Sequence, residues 1–273
     1  MIIFSWDEIR DRETPLFPGA VQTALTIGGF DGPHRGHDRL FTSVLAQEGL
    51  LPGIITFSRS PRAFPELKGG FGEKALPGTE LFGGDVSTLM LRLERFRERG
   101  FAFVVVIDFS QEFSKLSGEL FLNILVRICA MRYIAVGPDF RCGYRLDTGT
   151  RELLDFAAAT GVRAEILDAC LVDGRRVSSS SIRRAVLDGD LREAEKLLGS
   201  PFRLDCSAFV PSDTPGTVVA EKESLTQVVP PDGEYPVIAV GEDGSLGEAL
   251  IRISSGKLLL VSDLKRIRIA EFI

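Results

Sequence analysis

His34 and His37 are the only histidines in the chain, three residues apart in the stretch Thr23 to Leu45, TALTIGGFDGPHRGHDRLFTSVL. Imidazoles at that spacing on a helix's first turn face one side. There they donate hydrogen bonds to phosphate oxygens, and their charge responds to an arriving polyanion. Two histidines also make half of a metal site, and Asp31 and Asp38 stand close by, but no Cys, Asp or Glu lies at a suitable ligand spacing. Phosphate contact is therefore preferred over a metal site, and a metal site over a purely structural role. A second candidate run is Arg175 to Leu187, RRVSSSSIRRAVL. Its serines Ser178, Ser179, Ser180 and Ser181 can cap a helix and offer hydroxyls and N–H groups to an anion. Arg183, one turn inside, supplies a guanidinium suited to bidentate phosphate contact. Taken alone, a serine-capped surface helix with solvated arginines accounts for this run equally well.

The elements around the histidines fit a phosphate cradle. Ala24 to Ile27 read as a buried strand, and Gly28, Gly29 and Gly32 let the backbone turn tightly beside a ligand, with Phe30 and Asp31 between them. Pro33 suits a helix's first turn, and Leu40, Phe41, Val44 and Leu45 give that helix an apolar face. A helix N-terminus at the carboxyl end of a parallel strand presents N–H groups and partial positive charge to a phosphate chain.

Downstream, Gly53 to Phe57 reads as a second strand, followed by the loop SRSPRAFP at Ser58 to Pro65. Lys68 to Asp85 is rich in glycine and proline and is expected to be a long flexible loop, a candidate lid. Helical spacing over Val86 to Arg99 precedes the strand Phe101 to Ile107; a helix from Ser117 precedes the strand Arg132 to Gly137. The loop Pro138-Asp139-Phe140-Arg141-Cys142-Gly143 comes next, then a helix over about Thr150 to Thr160 and a strand at Arg163 to Leu167. This alternation predicts an α/β fold, a Rossmann-like doubly wound and mainly parallel sheet, with the loops after Ile27, Phe57, Ile107 and Gly137 converging on its carboxyl edge. A helix over Leu191 to Leu198 ends that domain at Gly199 and Pro201.

From Phe202 the pattern changes to short strand-like segments, Gly216 to Ala220, Tyr235 to Val240, Ala249 to Ser254, Lys257 to Ser262 and Arg266 to Phe272, with hairpin turns at EDGS and SSGK. Two domains are expected, 1–202 and a smaller all-β, barrel-like 203–273. A formal net charge of -6 argues against general nucleic-acid or anionic-membrane binding. The four cysteines form no CxxC pair, which favours free thiols, and the sequence shows neither a secretory leader nor an apolar stretch long enough to cross a bilayer. A cytoplasmic monomer acting on small molecules is the expectation.

With these motifs placed, residues 20–205 resemble the FMN adenylyltransferase (FAD synthetase) module of the bacterial bifunctional riboflavin kinase/FAD synthetase family, of the HxGH nucleotidyltransferase superfamily. The likeness is carried by GGFDGPHRGH at Gly28 to His37, the TF-proline loop at Thr56 to Pro61, VGPDFRCG at Val136 to Gly143, VSSSSIRRAVLDGD at Val177 to Asp190 and EAEKLLGSPF at Glu193 to Phe202. The resemblance implies transfer of AMP from ATP to FMN, giving FAD and pyrophosphate, with Mg2+ held mainly through substrate phosphates. It implies that His34 and His37 bind the ATP phosphates and stabilise the α-phosphoryl transition state. Ser178, Ser179 and Arg183, with Ser180, would hold the departing phosphates; Asp139 and Phe140 would sit beside the flavin or magnesium, with Thr56, Phe57 and Arg59 as neighbours.

The sequence departs from the family pattern at Gly29, usually asparagine, Ser60, usually histidine, Cys142, usually aromatic, and Ser180, usually threonine. The second module departs further. The gap EKESLTQV after Val219-Ala220 holds no PTAN-type segment, and the chain stops at Ile273, ahead of the kinase's glutamate region and final helix. A kinase-like remnant without riboflavin kinase activity is expected. Two alternatives remain open: an HxGH transferase for another phosphate substrate, and a catalytically weakened flavin- or nucleotide-binding sensor.

Overall fold

The computed structural model describes residues 1–58, 84–108, 113–264 and 266–273. The segment 59–83, with Arg59, Ser60, Pro61 and most of the expected lid, lies outside the described residues. The described chain divides into two compact units. One takes residues 1–30, 36–58, 93–108 and 113–171, the other 31–35, 84–92, 172–264 and 266–273.

In the first unit, six strands form one parallel sheet: β1 Ile2–Ser5, β2 Thr23–Ile27, β3 Leu51–Phe57, β4 Phe103–Ile107, β5 Met131–Val136 and β6 Arg163–Ile166. Their order is β1-β4-β3-β2-β5-β6, and every pairing is parallel. The inner strands are apolar without alternation because both faces of a parallel sheet are covered. Alternate residues serve two cores. Leu25, Ile27, Ile55, Phe103, Val105, Ile134 and Val136 pack with Phe121 and Leu125. Ala24, Ile54, Val104 and Ala135 pack with Leu40, Phe41, Val44 and Phe96.

The helices, in chain order, are α1 Trp6–Arg10, α2 Arg35–Leu45, α3 Leu89–Glu98, α4 Gly118–Ile128, α5 Thr150–Thr160, α6 Ser179–Leu187 and α7 Leu191–Leu198. Side-chain caps set several starts: Ser117 accepts from Leu120 N ahead of α4, Ser178 from Ser181 N ahead of α6, and Asp190 from Glu193 N ahead of α7. The expected α/β architecture is present. The sequence reading lacked β1, whose four residues carry neither length nor alternation, and whose Ile2 and Ile3 are exposed at the sheet edge.

The chain runs outward from β2 through β3 to β4, then returns to lay β5 on the other flank of β2. The loops leaving β2 and β5 therefore diverge at the carboxyl edge, the switch point where ligands enter open α/β sheets.

The second unit holds seven antiparallel strands: β7 Arg203–Asp205, β8 Val210–Pro211, β9 Thr217–Glu221, β10 Gly233–Gly241, β11 Leu246–Ser254, β12 Lys257–Val261 and β13 Ile267–Phe272. Their order, β7-β13-β10-β11-β12-β9-β8, puts two sequence neighbours at opposite edges. The link from Asp205 to Val210 reaches at most roughly 18 Å, whereas a flat sheet of seven strands spaces its edges about 29 Å apart. The sheet must curl, giving a half-barrel. Its core is shared with α6 and α7: Ile182, Val186, Ala194, Leu197 and Leu198 pack with Phe202, Leu204, Val237, Ile251, Leu260 and Phe272.

Phe103 anchors the first sheet; it is fully buried, with ring centroids 5.0 Å from Phe17 and 6.4 Å from Phe4. Phe103→Ala should lower unfolding free energy by about 3–5 kcal/mol, and Phe103→Leu by clearly less, as read by urea denaturation.

Candidate active site

The first unit contributes the two ends of the opening motif. Gly28 leaves β2 and donates its N–H to Ile55 O at 3.1 Å. Thr56, fully buried at the end of β3, donates its hydroxyl to Gly29 O at 3.3 Å, fastening the turn to the neighbouring strand. Phe30 holds φ at +47°, an uncommon setting for a bulky residue, and its buried ring packs on Phe41 at 5.2 Å and Phe96 at 5.8 Å. That burial maintains the strained backbone, a pattern found at functional turns. The ring also meets His37 edge to face at 5.0 Å, while Phe41 stacks beside the imidazole at 6.3 Å. His37 is half-buried and oriented by these two rings. Among the described residues, a Cβ at position 29 would meet nothing within 4 Å.

Other predicted residues of this unit line the same sheet edge. Phe57 ends β3, its ring 6.2 Å from that of Phe113. After β5, Phe140 N closes a turn onto Gly137 O at 3.1 Å; Phe140 is half-buried against the first core and Asp139 is exposed. Arg59 lies outside the described residues.

The second unit holds Asp31 to Arg35 beside the start of α6. Asp31 is the hub. Its Oδ1 accepts Val86 N at 2.7 Å and Ser87 N at 3.1 Å, and its Oδ2 pairs with Arg183 Nη2 at 2.8 Å. Its backbone carbonyl accepts the Ser179 hydroxyl at 2.6 Å. Arg183, buried, also donates Nε to Gly84 O at 2.7 Å. Two of its donors thus serve the turn. Gly32 holds φ at +61°, and an added Cβ would lie 2.4 Å from Val86 Cγ1, so glycine is required there. Its N–H donates to Ser87 Oγ at 2.9 Å. Ser178 and Ser181 form a reciprocal capping box, and Ser180 is exposed.

Helix α2 begins at Arg35, so His34 stands just before it, whereas the spacing had placed it in the first turn. His34 is buried; that burial holds its pKa down to about 4, the nearby positive charge of Arg176 pressing the same way. The imidazole is neutral at pH 7. For Asp31, burial raises the carboxyl pKa, while Arg183, the two amides and Arg92 oppose it. Arg92 is itself buried, its pKa lowered by desolvation and supported by Asp31 and Asp85.

Three residues of this arrangement had no role in the sequence reading. Arg176 was visible as the cation two places before Ser178 in RRVSSSS. Ser87 and Arg92 reach Asp31 across more than fifty residues, for which no local signal exists. Among the described residues no group of three His, Cys, Asp or Glu side chains gathers to hold a metal, and no helix is long and apolar enough to cross a membrane.

A family model described as FAD synthetase matches residues 19–181. A bifunctional riboflavin kinase/FMN adenylyltransferase of Escherichia coli K12 is 31% identical over 229 residues, covering 80% of this chain and 68% of that protein. The Haemophilus influenzae protein of the same name is 29% identical over 192 residues, covering 66% of this chain and 56% of its own. A crystal structure from Streptococcus pneumoniae, described as a macrolide-efflux protein, covers 100% of this chain and 90% of its own at TM-score 0.75 and 20% identity, a likeness of fold alone.

The His34 environment sets an acid limit on stability. The unfolded imidazole takes up its proton near pH 6.5, the folded one only near pH 4. Between those values the unfolded chain binds more protons, so His34's contribution, fully present above pH 6.5, is lost as pH falls. The loss should total roughly 3 kcal/mol. Urea midpoints from pH 7.5 to 4.5 should show this acid slope in the wild type and a shallower one in His34→Gln.

Proposed function

The chain belongs to the FAD synthetase family, and from that membership we propose that it is an FMN adenylyltransferase, transferring AMP from ATP to FMN to give FAD and pyrophosphate. The observation that carries the proposal is the turn from β2 to α2. It leaves the switch point of a doubly wound sheet and presents one buried neutral imidazole and one aromatic-held imidazole within four residues of chain.

The nucleophile is a terminal phosphate oxygen of FMN, already anionic. A bond forms from it to the α-phosphorus of ATP as the bond to the bridging oxygen breaks, and pyrophosphate leaves with that electron pair. No proton need be abstracted, so alignment and charge stabilisation dominate. His37 donates to the α-phosphoryl oxygens where charge builds. His34, neutral before substrate arrives, gains basicity beside the polyanion and can take up a proton that strengthens its contact. The phosphates that leave are received at the start of α6, by Ser178, Ser179 and Ser180 with the dipole of that helix, and by the nearby charge of Arg176. Arg183 contributes through Asp31, keeping the turn in place. Gly28 to Gly32, Thr56 and Phe57 frame the nucleotide, with Arg59 on the following segment, and Asp139 and Phe140 flank the flavin. Magnesium would enter with ATP, held by phosphate oxygens and water and supplying charge neutralisation.

We assign this transfer to residues 1–202 and propose that 203–273 is a kinase-like remnant without riboflavin kinase activity. In support, the segment after β9 is engaged structurally. Gln227 is buried and its amide bonds to Val86 O, Arg203 O and Asp205 N. A cytoplasmic monomer is part of the same proposal.

Purified protein given FMN, ATP and magnesium should release FAD and pyrophosphate, whereas riboflavin and ATP should give no FMN. Absence of both FAD and pyrophosphate at high enzyme concentration would overturn the assignment. His37→Ala should cut turnover about 100-fold or more with little change in urea midpoint; equal activity refutes the role of His37. Gly29→Asn restores the side chain usual in the family where no described residue lies within 4 Å of its Cβ, and should raise kcat/KM for FMN adenylylation without loss of stability.

A further inference from the structure

The stretch from Gly84 to Ser87 is a splint with two fixed sides. On one side it is paired to the chain after β9: Asp85 N donates to Thr226 O at 2.8 Å, and Val228 N donates to Asp85 O at 2.8 Å. Gln227, 4% exposed, completes that side. Its Nε2 donates to Val86 O at 2.9 Å and to Arg203 O at 3.0 Å, while its Oε1 accepts Asp205 N at 2.8 Å. The approach is too close for any side chain at 84. Gly84 holds φ at +109°, and a Cβ there would lie 2.7 Å from the Gln227 backbone carbon.

On its other side the splint holds the turn before His34. Val86 N and Ser87 N donate to the Asp31 carboxylate, Ser87 Oγ accepts Gly32 N, and Gly84 O accepts Arg183 Nε. Four consecutive residues with defined hydrogen bonds on both flanks thus link Gln227 to Asp31. A buried amide with its donors and acceptor engaged is costly to disturb, and such positions fix one arrangement of the groups they bind.

We propose that Gln227 is a positioning residue for the adenylyl transfer: through residues 84–87 it fixes the Asp31-Gly32 turn and hence the place of His34. This rests on the transferase reading of the site, and it gives the small β module a use in that reaction. Gln227 touches no substrate; its effect runs through Val86, Ser87 and Asp31.

The test compares Gln227→Leu, which keeps volume and loses the three bonds, with Thr88→Val, which removes the neighbouring 2.6 Å bond from Thr88 to Asp205 and the acceptor for Leu91 N but none of the bonds described for residues 84–87. Three quantities are read in each full-length variant: urea midpoint, kcat and KM for FMN adenylylation, and the NMR titration of the His34 imidazole. Gln227→Leu should lower kcat about ten-fold with KM for FMN within two-fold, and shift the His34 midpoint from about 4 toward the value of an exposed imidazole. Thr88→Val should lower the urea midpoint and leave kcat and the His34 titration unchanged.

A folded Gln227→Leu protein with wild-type kcat and unmoved His34 overturns the proposal. So does an equal His34 shift in Thr88→Val, which would mean general loosening. Where Gln227→Leu does not fold, Ser87→Ala, which removes only the acceptor for Gly32 N, decides by the same readouts. A wild type that forms no FAD defeats the transferase reading while the His34 titration still decides the positioning.

Discussion

One buried carboxylate organises the second unit. Asp31 is taken out of water beside two buried arginines, Arg183 and Arg92. Desolvating such a group is costly, and the attraction of a partner offsets the cost only when its remaining lone pairs are also satisfied. Here they are, by the amides of Val86 and Ser87 and the guanidinium of Arg183. Because a half-satisfied version would be worse than none, the groups that meet Asp31 are held to one geometry. The backbone of 84–87, the start of α6 and the residue preceding α2 each take their place from it.

That constraint explains how a short turn can hold a neutral histidine among positive charges. Burial and the charge of Arg176 both disfavour the imidazolium of His34. Without a fixed turn the side chain would swing toward water, where its ordinary pKa returns. A site for a polyanion gains from the arrangement, since positive potential is assembled before the ligand arrives and little reorganisation is left for the reacting complex. His37 is positioned differently, by the rings of Phe30 and Phe41, and the price of that orientation is the left-handed backbone of Phe30.

Most of the fold was legible in the sequence because its elements announce themselves locally. The span Thr150–Thr160 and the span Leu191–Leu198 match the apolar spacing residue for residue. The buried runs at β2 to β5 have the continuous apolar character that only a doubly covered sheet requires. The serine run marked the start of α6 because a hydroxyl cap is a local device. What was not legible depends on distance along the chain or on exposure. β1 gains its strand character by pairing with β4 a hundred residues later, and its exposed Ile2 and Ile3 break the usual association of apolar with buried. Gln227 looks like any polar loop residue; its partners Val86, Arg203 and Asp205 are backbone groups, which no residue type encodes. The change of pattern at Phe202 is real in sequence, yet α6 and α7 share their core with the sheet that follows, since a helix face is buried by whichever apolar surface adjoins it.

The same logic bears on Arg183. The sequence offered a guanidinium one turn inside a helix, which suits a phosphate, but it could not show the carboxylate that already faces it. Two of its donors already serve Asp31 and Gly84, and withdrawing them would strand a buried carboxylate at a cost of about 3–5 kcal/mol. The start of α6 is tied to the same turn, for the Ser179 hydroxyl donates to Asp31 O while Ser178 and Ser181 cap one another. Arg183 and the first turn of α6 thus converge on Asp31, the guanidinium balancing the carboxylate and the Ser179 hydroxyl holding the carbonyl of the same residue.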